Sequence, residues 1–236
     1  MGEGIPVVDF SPLLSGEGVG VRYMPKPLTV FCDFDGTITE KDMVVTLCQK
    51  FCPNDWKPIV EDIVARKKSV KDGVVELFAK IPSSQKDALI RYAHEVIQWR
   101  AGFKEFLEFC KANALRFIVC SGGIDFFIEP LMKPFAPWID RVVSIPADFS
   151  GPMIALRHTY ACESCGTCKV KVMEEYPDTT KILIGDSITD LHGAHHADLV
   201  YARAKLKDYL DQDKVSYTPF ETFFDVIQRI PLKIGR

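Results

Sequence analysis

Leu28-Thr29-Val30-Phe31-Cys32-Asp33-Phe34-Asp35-Gly36-Thr37 is the stretch on which the reading of this chain turns. Its first five residues form a short apolar run suited to a buried strand. Two carboxylates follow, two positions apart, a spacing that projects both to one side of extended backbone. Gly36 then lets the chain turn sharply. Acids at the end of a buried strand are costly to desolvate unless a metal ion or hydrogen-bond donors compensate them. The segment therefore predicts a strand with a polar site at its C-terminal end.

Two later runs end in the same manner. Arg116-Phe117-Ile118-Val119-Cys120 leads into Ser121-Gly122-Gly123, where a hydroxyl and backbone N–H groups ahead of a helix N-terminus suit phosphate oxygens. Lys181-Ile182-Leu183-Ile184 leads into Gly185-Asp186-Ser187, with Asp190 a turn later. Lys169 and Lys171 lie between these runs, and either qualifies by position as the cation of such a site. Ligands of open α/β sheets bind beyond the carboxyl ends of the strands, so these groups are expected to converge. Together they supply a nucleophile, an acid/base, donors, a cation and oxygen ligands for a hard divalent metal.

Between the first two strand runs the texture is helical. Val44, Leu47, Cys48 and Phe51 recur at helical spacing, as do Trp56, Ile59, Val60 and Ile63, then Val74, Val75, Leu77 and Phe78. Pro82-Ser83-Ser84 is expected to open a fourth helix, with Ser84 and Asp87 in capping-box-like spacing. The remainder alternates: a helix from Phe103, a helix after Ser121, a strand Arg141–Ile145, a strand Leu199–Ala202 and a closing helix within Phe220–Ile230. The predicted fold class is α/β, a Rossmann-like parallel sheet core over 27–40 and 101–236 with an inserted helical block over 41–100. Residues 1–26, interrupted by glycines and without periodicity, read as a disordered extension, with Met24 as a candidate start.

With 47% hydrophobic and 26% charged residues and a net charge of −3, the chain offers no electrostatic reason to bind nucleic acid or an anionic membrane. No apolar run approaches the roughly 20 residues needed to span a bilayer. The expected setting is cytoplasmic, where eight cysteines do not suggest a disulfide framework. Cys32, Cys110 and Cys120 read as small buried hydrophobes, and Cys48 and Cys52 as packing residues of the first inserted helix. Cys162-Glu163-Ser164-Cys165-Gly166-Thr167-Cys168 is different. With His158 four residues ahead, it offers four ligands for zinc, a redox-active C-x-x-C pair, or loop cysteines that stay reduced. Cys168 directly precedes Lys169, so anything that orders this loop also places that lysine. His192 and His196, at i and i+4, read as a weak transition-metal pair or a polar helix face, and His195 as solvated.

The four pieces in this order, Asp33-Phe34-Asp35-Gly36-Thr37, Ser121, a lysine at 169 or 171, and Gly185-Asp186 through Asp190, resemble the haloacid dehalogenase superfamily of phosphohydrolases over Leu28 to about Ala202. Ser121-Gly122-Gly123-Ile124-Asp125-Phe126-Phe127, the Cys-rich segment and Ile81-Pro82-Ser83-Ser84 look like its methionine-salvage branch, a relative of the phosphoserine phosphatases. The resemblance implies a helical cap that closes over the site and selects a small phosphorylated metabolite. It implies an aspartyl-phosphate formed on Asp33, with Asp35 as general acid and base. Mg²⁺ would be held by Asp33, the backbone carbonyl of Asp35 and Asp186, with Asp190 holding a metal-bound water or the lysine. Thr37, Ser121, the N–H of Gly122 and Lys169 would bind the phosphoryl group. Phosphoserine hydrolysis, a silent phosphometabolite-binding protein and a zinc-dependent interaction module around the Cys loop are the rival readings.

Overall fold

The computed structural model describes residues 26–231 apart from Ser164. Nearly all of the expected extension, and the question of Met24, lie outside the described residues. The chain opens with β1 (Leu28–Cys32), every residue of which is buried. Four helices follow, α1 (Met43–Phe51), α2 (Trp56–Val64), α3 (Val70–Phe78) and α4 (Lys86–Val96), before α5 (Phe103–Ala112) returns the chain toward the sheet. Then come β2 (Arg116–Ile124), α6 (Asp125–Met132), β3 (Arg141–Ile145) and a two-stranded hairpin, β4 (Ala147–Asp148) with β5 (Ala155–Leu156). The last third holds α7 (Lys169–Glu174), β6 (Thr180–Gly185), α8 (Ile188–Ala194), β7 (Leu199–Ala202), α9 (Ala204–Asp213), β8 (Thr218–Pro219) and α10 (Phe223–Arg229).

Six strands form one sheet in the order β3-β2-β1-β6-β7-β8, and every pairing is parallel. The chain runs outward from β1 to β3, then restarts on the other side of β1 with β6. The reversal between β1 and β6 is the crevice where such sheets bind ligands. Apolar runs such as Ile182–Ile184 are buried on both faces, as the middle strands of a two-sided parallel sheet must be. One face packs a phenylalanine-rich cluster in which Phe103, Phe106, Phe117 and Phe223 meet at centroid separations of 5.3–6.2 Å.

Two sequence expectations are corrected. β2 does not stop at Cys120 but runs through Ser121-Gly122-Gly123 to Ile124, with a register irregularity against β3 between Cys120 and Ile124. The helix behind it starts at Asp125, four residues beyond Ser121. Ser84 caps nothing: Ser83–Gln85 is a 3-10 turn, and α4 begins at Lys86 without a side-chain cap.

The inserted helices join the core through a short antiparallel neck. Glu40 N–H donates to Gln98 O (2.8 Å) and Arg100 N–H to Ile38 O (2.9 Å). A second tie comes from the β4–β5 hairpin. Ser83 N–H donates to Pro152 O (2.9 Å) and Ile154 N–H to Ile81 O (3.0 Å), so a segment some 70 positions away in sequence buttresses the helical block.

Candidate active site

Asp33 closes β1, and its N–H donates to Ile184 O at 2.9 Å, which pins the end of β1 to β6. A wide turn, Phe34–Ile38, follows, closed by Thr39 N–H on Phe34 O (3.0 Å). Phe34 anchors it, wholly buried against Trp99 and Phe127. Gly36 sits at φ +73°, and a Cβ there would lie 2.4 Å from Asp186 Oδ2. The turn therefore admits only glycine on both counts. Asp35 Oδ1 accepts from Met43 N–H at 2.7 Å, tying the acid to the first residue of α1. Its other face meets β2, where a Cβ on Gly123 would stand 2.5 Å from Asp35 Oδ2.

The structure separates the two candidate lysines. Lys169 Nζ, 1% exposed, lies 3.0 Å from Asp33 Oδ1 and 2.8 Å from Asp190 Oδ1. The first contact is a hydrogen bond; the second is an ion pair off the hydrogen-bond axis, since Asp190 Oδ1 has no aligned donor. Lys171 points away and donates to Ala161 O at 2.5 Å on the exposed side. Asp190 Oδ2 accepts from Asp186 N–H (2.9 Å) and Ser187 N–H (3.1 Å), fixing the β6–α8 turn. Thr37 Oγ1 donates to Asp186 Oδ1 at 3.2 Å.

Carboxylate oxygens of Asp33, Asp186 and Asp190 lie within 4.8 Å of one another. Burial, then the Asp190 charge, pushes the Asp33 carboxyl up to about 7 despite Lys169. Burial with Asp190 and Asp33 raises Asp186 to about 8. Burial, then Asp42 and Asp33, raises Asp35 well above the carboxylate range. Burial alone would discharge Lys169, but Asp190 and Asp33 outweigh it and raise its pKa. A ring of acids that repel one another around one cation is short of positive charge. All-oxygen donors in that setting fit a hard divalent ion such as Mg²⁺.

Ser121 is buried and accepts from Gly123 N–H at 2.9 Å. Gly122 has open space where its Cβ would be, and it borders a cavity of about 530 Å³ between the α2–α3 connection and α8 with the Cys165–Thr167 loop. Ile63, Val70, Ile188 and Leu191 give that cavity apolar walls, and Arg66, Lys67 and Lys68 stand on its inserted-helix side.

Arg100 supports the site from behind the turn. It is 3% exposed and donates to the carbonyls of Thr37 (2.6 Å), Gly36 (2.9 Å), Thr39 (3.0 Å) and Glu221 (3.2 Å), with Glu40 at 2.9 Å. Arg203 adds a second donor to Gly36 O at 2.7 Å. These two guanidinium groups hold the turn that carries Asp35, and the sequence missed them because a long-range clamp leaves no local pattern. The Cys loop differs too. His158 Nδ1 faces Gly166 O (3.1 Å), whereas the sulfurs of Cys162, Cys165 and Cys168 gather with a ring nitrogen of His192. The sequence signal for His192 was its position two residues after Asp190, which must adjoin Lys169.

A family model described as haloacid dehalogenase-like hydrolase matches residues 30–195. A protein of Brevibacillus brevis named 2-hydroxy-3-keto-5-methylthiopentenyl-1-phosphate phosphatase is 41% identical over 212 residues, covering 87% of this chain and 96% of that protein. One of the same name from Geobacillus kaustophilus is 39% identical, covering 88% and 97%. Among solved structures, a substrate-bound phosphoserine phosphatase superposes with TM-score 0.68 at 14% identity, covering 88% of this chain and all of that one. An apo phosphoserine phosphatase gives 0.67 at 15% identity, covering 87% and 100%. At such identities the two structures speak to the fold alone.

Proposed function

The chain belongs to the haloacid dehalogenase-like hydrolases, and on that premise we propose that it is a Mg²⁺-dependent phosphatase acting on 2-hydroxy-3-keto-5-methylthiopentenyl-1-phosphate in methionine salvage. The observation that carries the chemistry is the ring of buried Asp33, Lys169 and Asp190 with half-buried Asp186 at the β1–β6 crevice, with Asp35 two residues from Asp33. Asp33 attacks phosphorus, the bond to the leaving oxygen breaks, and an aspartyl-phosphate forms. Asp35 gives its proton to that oxygen, then takes one from the water that cleaves the acyl phosphate. Burial, with Asp42 and Asp33 nearby, raises its pKa and so favours the protonated acid this step needs. Lys169 orients Asp33, while Thr37, Ser121 and the N–H of Gly122 receive phosphoryl oxygens. Mg²⁺, when bound by Asp33, Asp186 and the Asp35 carbonyl, supplies charge neutralisation, and Asp190 fixes the turn that presents Asp186. The helical segment 41–100 serves as the cap.

The substrate rests on the names of the two relatives and on the cavity. Its apolar walls suit a methylthio chain, and Gly122 at its edge leads to the phosphoryl end. Phosphoserine, the compound named for the two solved structures, is the runner-up. It needs a carboxylate for its ammonium group, and among the described residues no carboxylate lines the cavity. A silent binding protein would have no use for the paired acids Asp33 and Asp35. The test is phosphate release from both compounds with Mg²⁺, using wild type and Asp33→Asn. Turnover of the methylthio compound alone, abolished in the variant, is expected. Hydrolysis by Asp33→Asn near the wild-type rate would refute the covalent mechanism, and preference for phosphoserine would refute the substrate.

A further inference from the structure

We propose that Cys162, Cys165, Cys168 and His192 form a structural zinc site that staples the loop before Lys169 to the helix of Asp190. One ligand atom from each of the four lies within 4.8 Å of the others. The edge between Cys168 Sγ and His192 Nδ1 measures 3.6 Å. A tetrahedral zinc with Zn–S about 2.3 Å and Zn–N about 2.0–2.1 Å sets its sulfur and nitrogen about 3.6 Å apart, so that edge already has the required length. Three cysteines and one histidine are also a complete donor set for a closed tetrahedral site.

The backbone is arranged for charged sulfur. Cys165 N–H donates to Cys162 Sγ at 3.3 Å, a contact that strengthens when the acceptor is a thiolate. Cys162 N–H donates to Cys165 O (3.2 Å), and Cys168 N–H to Tyr160 O (2.8 Å). The loop is thereby folded back on itself with its sulfurs together. Lys171 Nζ sits on Ala161 O, next to Cys162, and supplies a cation beside a centre of three thiolates and one dication. Loading displaces the three thiol protons to solvent as three Zn–S bonds and one Zn–N bond form.

The two segments that would be joined are those that present the buried ion pair. Cys168 is the residue before α7 and is 2% exposed; His192 stands on α8, two residues past Asp190. The metal would thus fix the separation of Lys169 and Asp190 from outside the acidic ring. Cys165 and His192 also border the cavity given to the substrate, but the proposed metal takes no part in the chemistry of phosphorus.

The test uses the full chain, produced with zinc in the medium and purified under reducing conditions without chelator. Elemental analysis should find about one zinc per chain, and Cys165→Ser and His192→Ala should each weaken zinc retention against a chromophoric chelator by about tenfold or more. Cys110→Ser, a buried thiol far along the sequence, should leave it unchanged. Co²⁺ in place of zinc should give the visible absorption of tetrahedral thiolate coordination, lost in Cys165→Ser. Protein without zinc, zinc held equally well by His192→Ala, zinc lost in Asp186→Asn instead, or a Cys162–Cys165 disulfide in the purified protein would each overturn the proposal.

Discussion

Replacing Arg100 by Met tests whether the turn bearing Asp35 is held by one buried guanidinium. The change keeps an apolar stem of similar reach and removes five hydrogen bonds. Gly36 O keeps Arg203 as donor, so the carbonyls of Thr37 and Thr39 are the ones left short. An unsatisfied buried acceptor costs about 1–3 kcal/mol, giving about 2–6 kcal/mol for two. The lost contact to the half-exposed Glu40 adds at most about 1 kcal/mol, and relief from desolvating the guanidinium offsets part of the total. We expect a net loss of about 3 kcal/mol, a large share of the roughly 5–15 kcal/mol typical of a domain. In urea, with a slope of about 2–3 kcal/mol/M, the midpoint should fall by about 1–1.5 M. Turnover should fall as well, because Asp35 rides on the released turn. A loss below about 1 kcal/mol in wild-type-like unfolding curves would refute the reasoning, since the carbonyls would then have other partners.

The acidic ring makes the Mg²⁺-free protein sensitive to pH. Asp33 and Asp186 titrate near 7 and 8 in the fold against about 3.9 unfolded, so the folded state binds more protons between these values. Stability should therefore decline as pH rises from about 4 to about 8, and saturating Mg²⁺ should flatten the decline; thermal melts across that range check both. By the same linkage, Mg²⁺ affinity measured by calorimetry should rise from pH 6 to pH 8, up to about tenfold per unit for each proton displaced; an unchanged affinity contradicts the assignment of Asp33 and Asp186 as ligands. Gly36→Ala adds a Cβ in the left-handed region against Asp186, and should cost more than about 1 kcal/mol in urea melts while weakening Mg²⁺ binding. Ile63→Ser in the cavity wall should raise KM for the methylthio substrate by about 1–2 kcal/mol, roughly fivefold to thirtyfold, with kcat nearly unchanged; an unaltered KM places the sulfur elsewhere.

The alternation of strand-like runs with helical stripes made the α/β core legible, because a parallel sheet buried on both faces requires apolar strands and amphipathic covers. Acids and small residues at the ends of those runs located the site for the same reason: strand ends in such sheets share one edge. The strand at Arg116 proved harder to bound. Its apolar content ends at Cys120, yet pairing with β3 resumes at Ile124, and backbone pairing across glycines leaves no hydrophobic trace. The buttressing hairpin at Ala147–Leu156 was likewise invisible, since its strands are two residues long.

By itself the sequence determined which chemical groups stand at the strand ends and in what order, since local periodicity and turn chemistry are written along the chain. Tertiary structure alone decided among residues with equal local claims. Lys169 rather than Lys171 reaches Asp33, because the start of α7 turns that side chain inward. His192 rather than His158 joins the three cysteines, because α8 packs beside α7. Arg100 clamps the turn because the neck returns it to β1 from 63 positions away. Each of these is a contact between distant segments, and its energy comes from burial and charge that exist only once the sheet has brought those segments together.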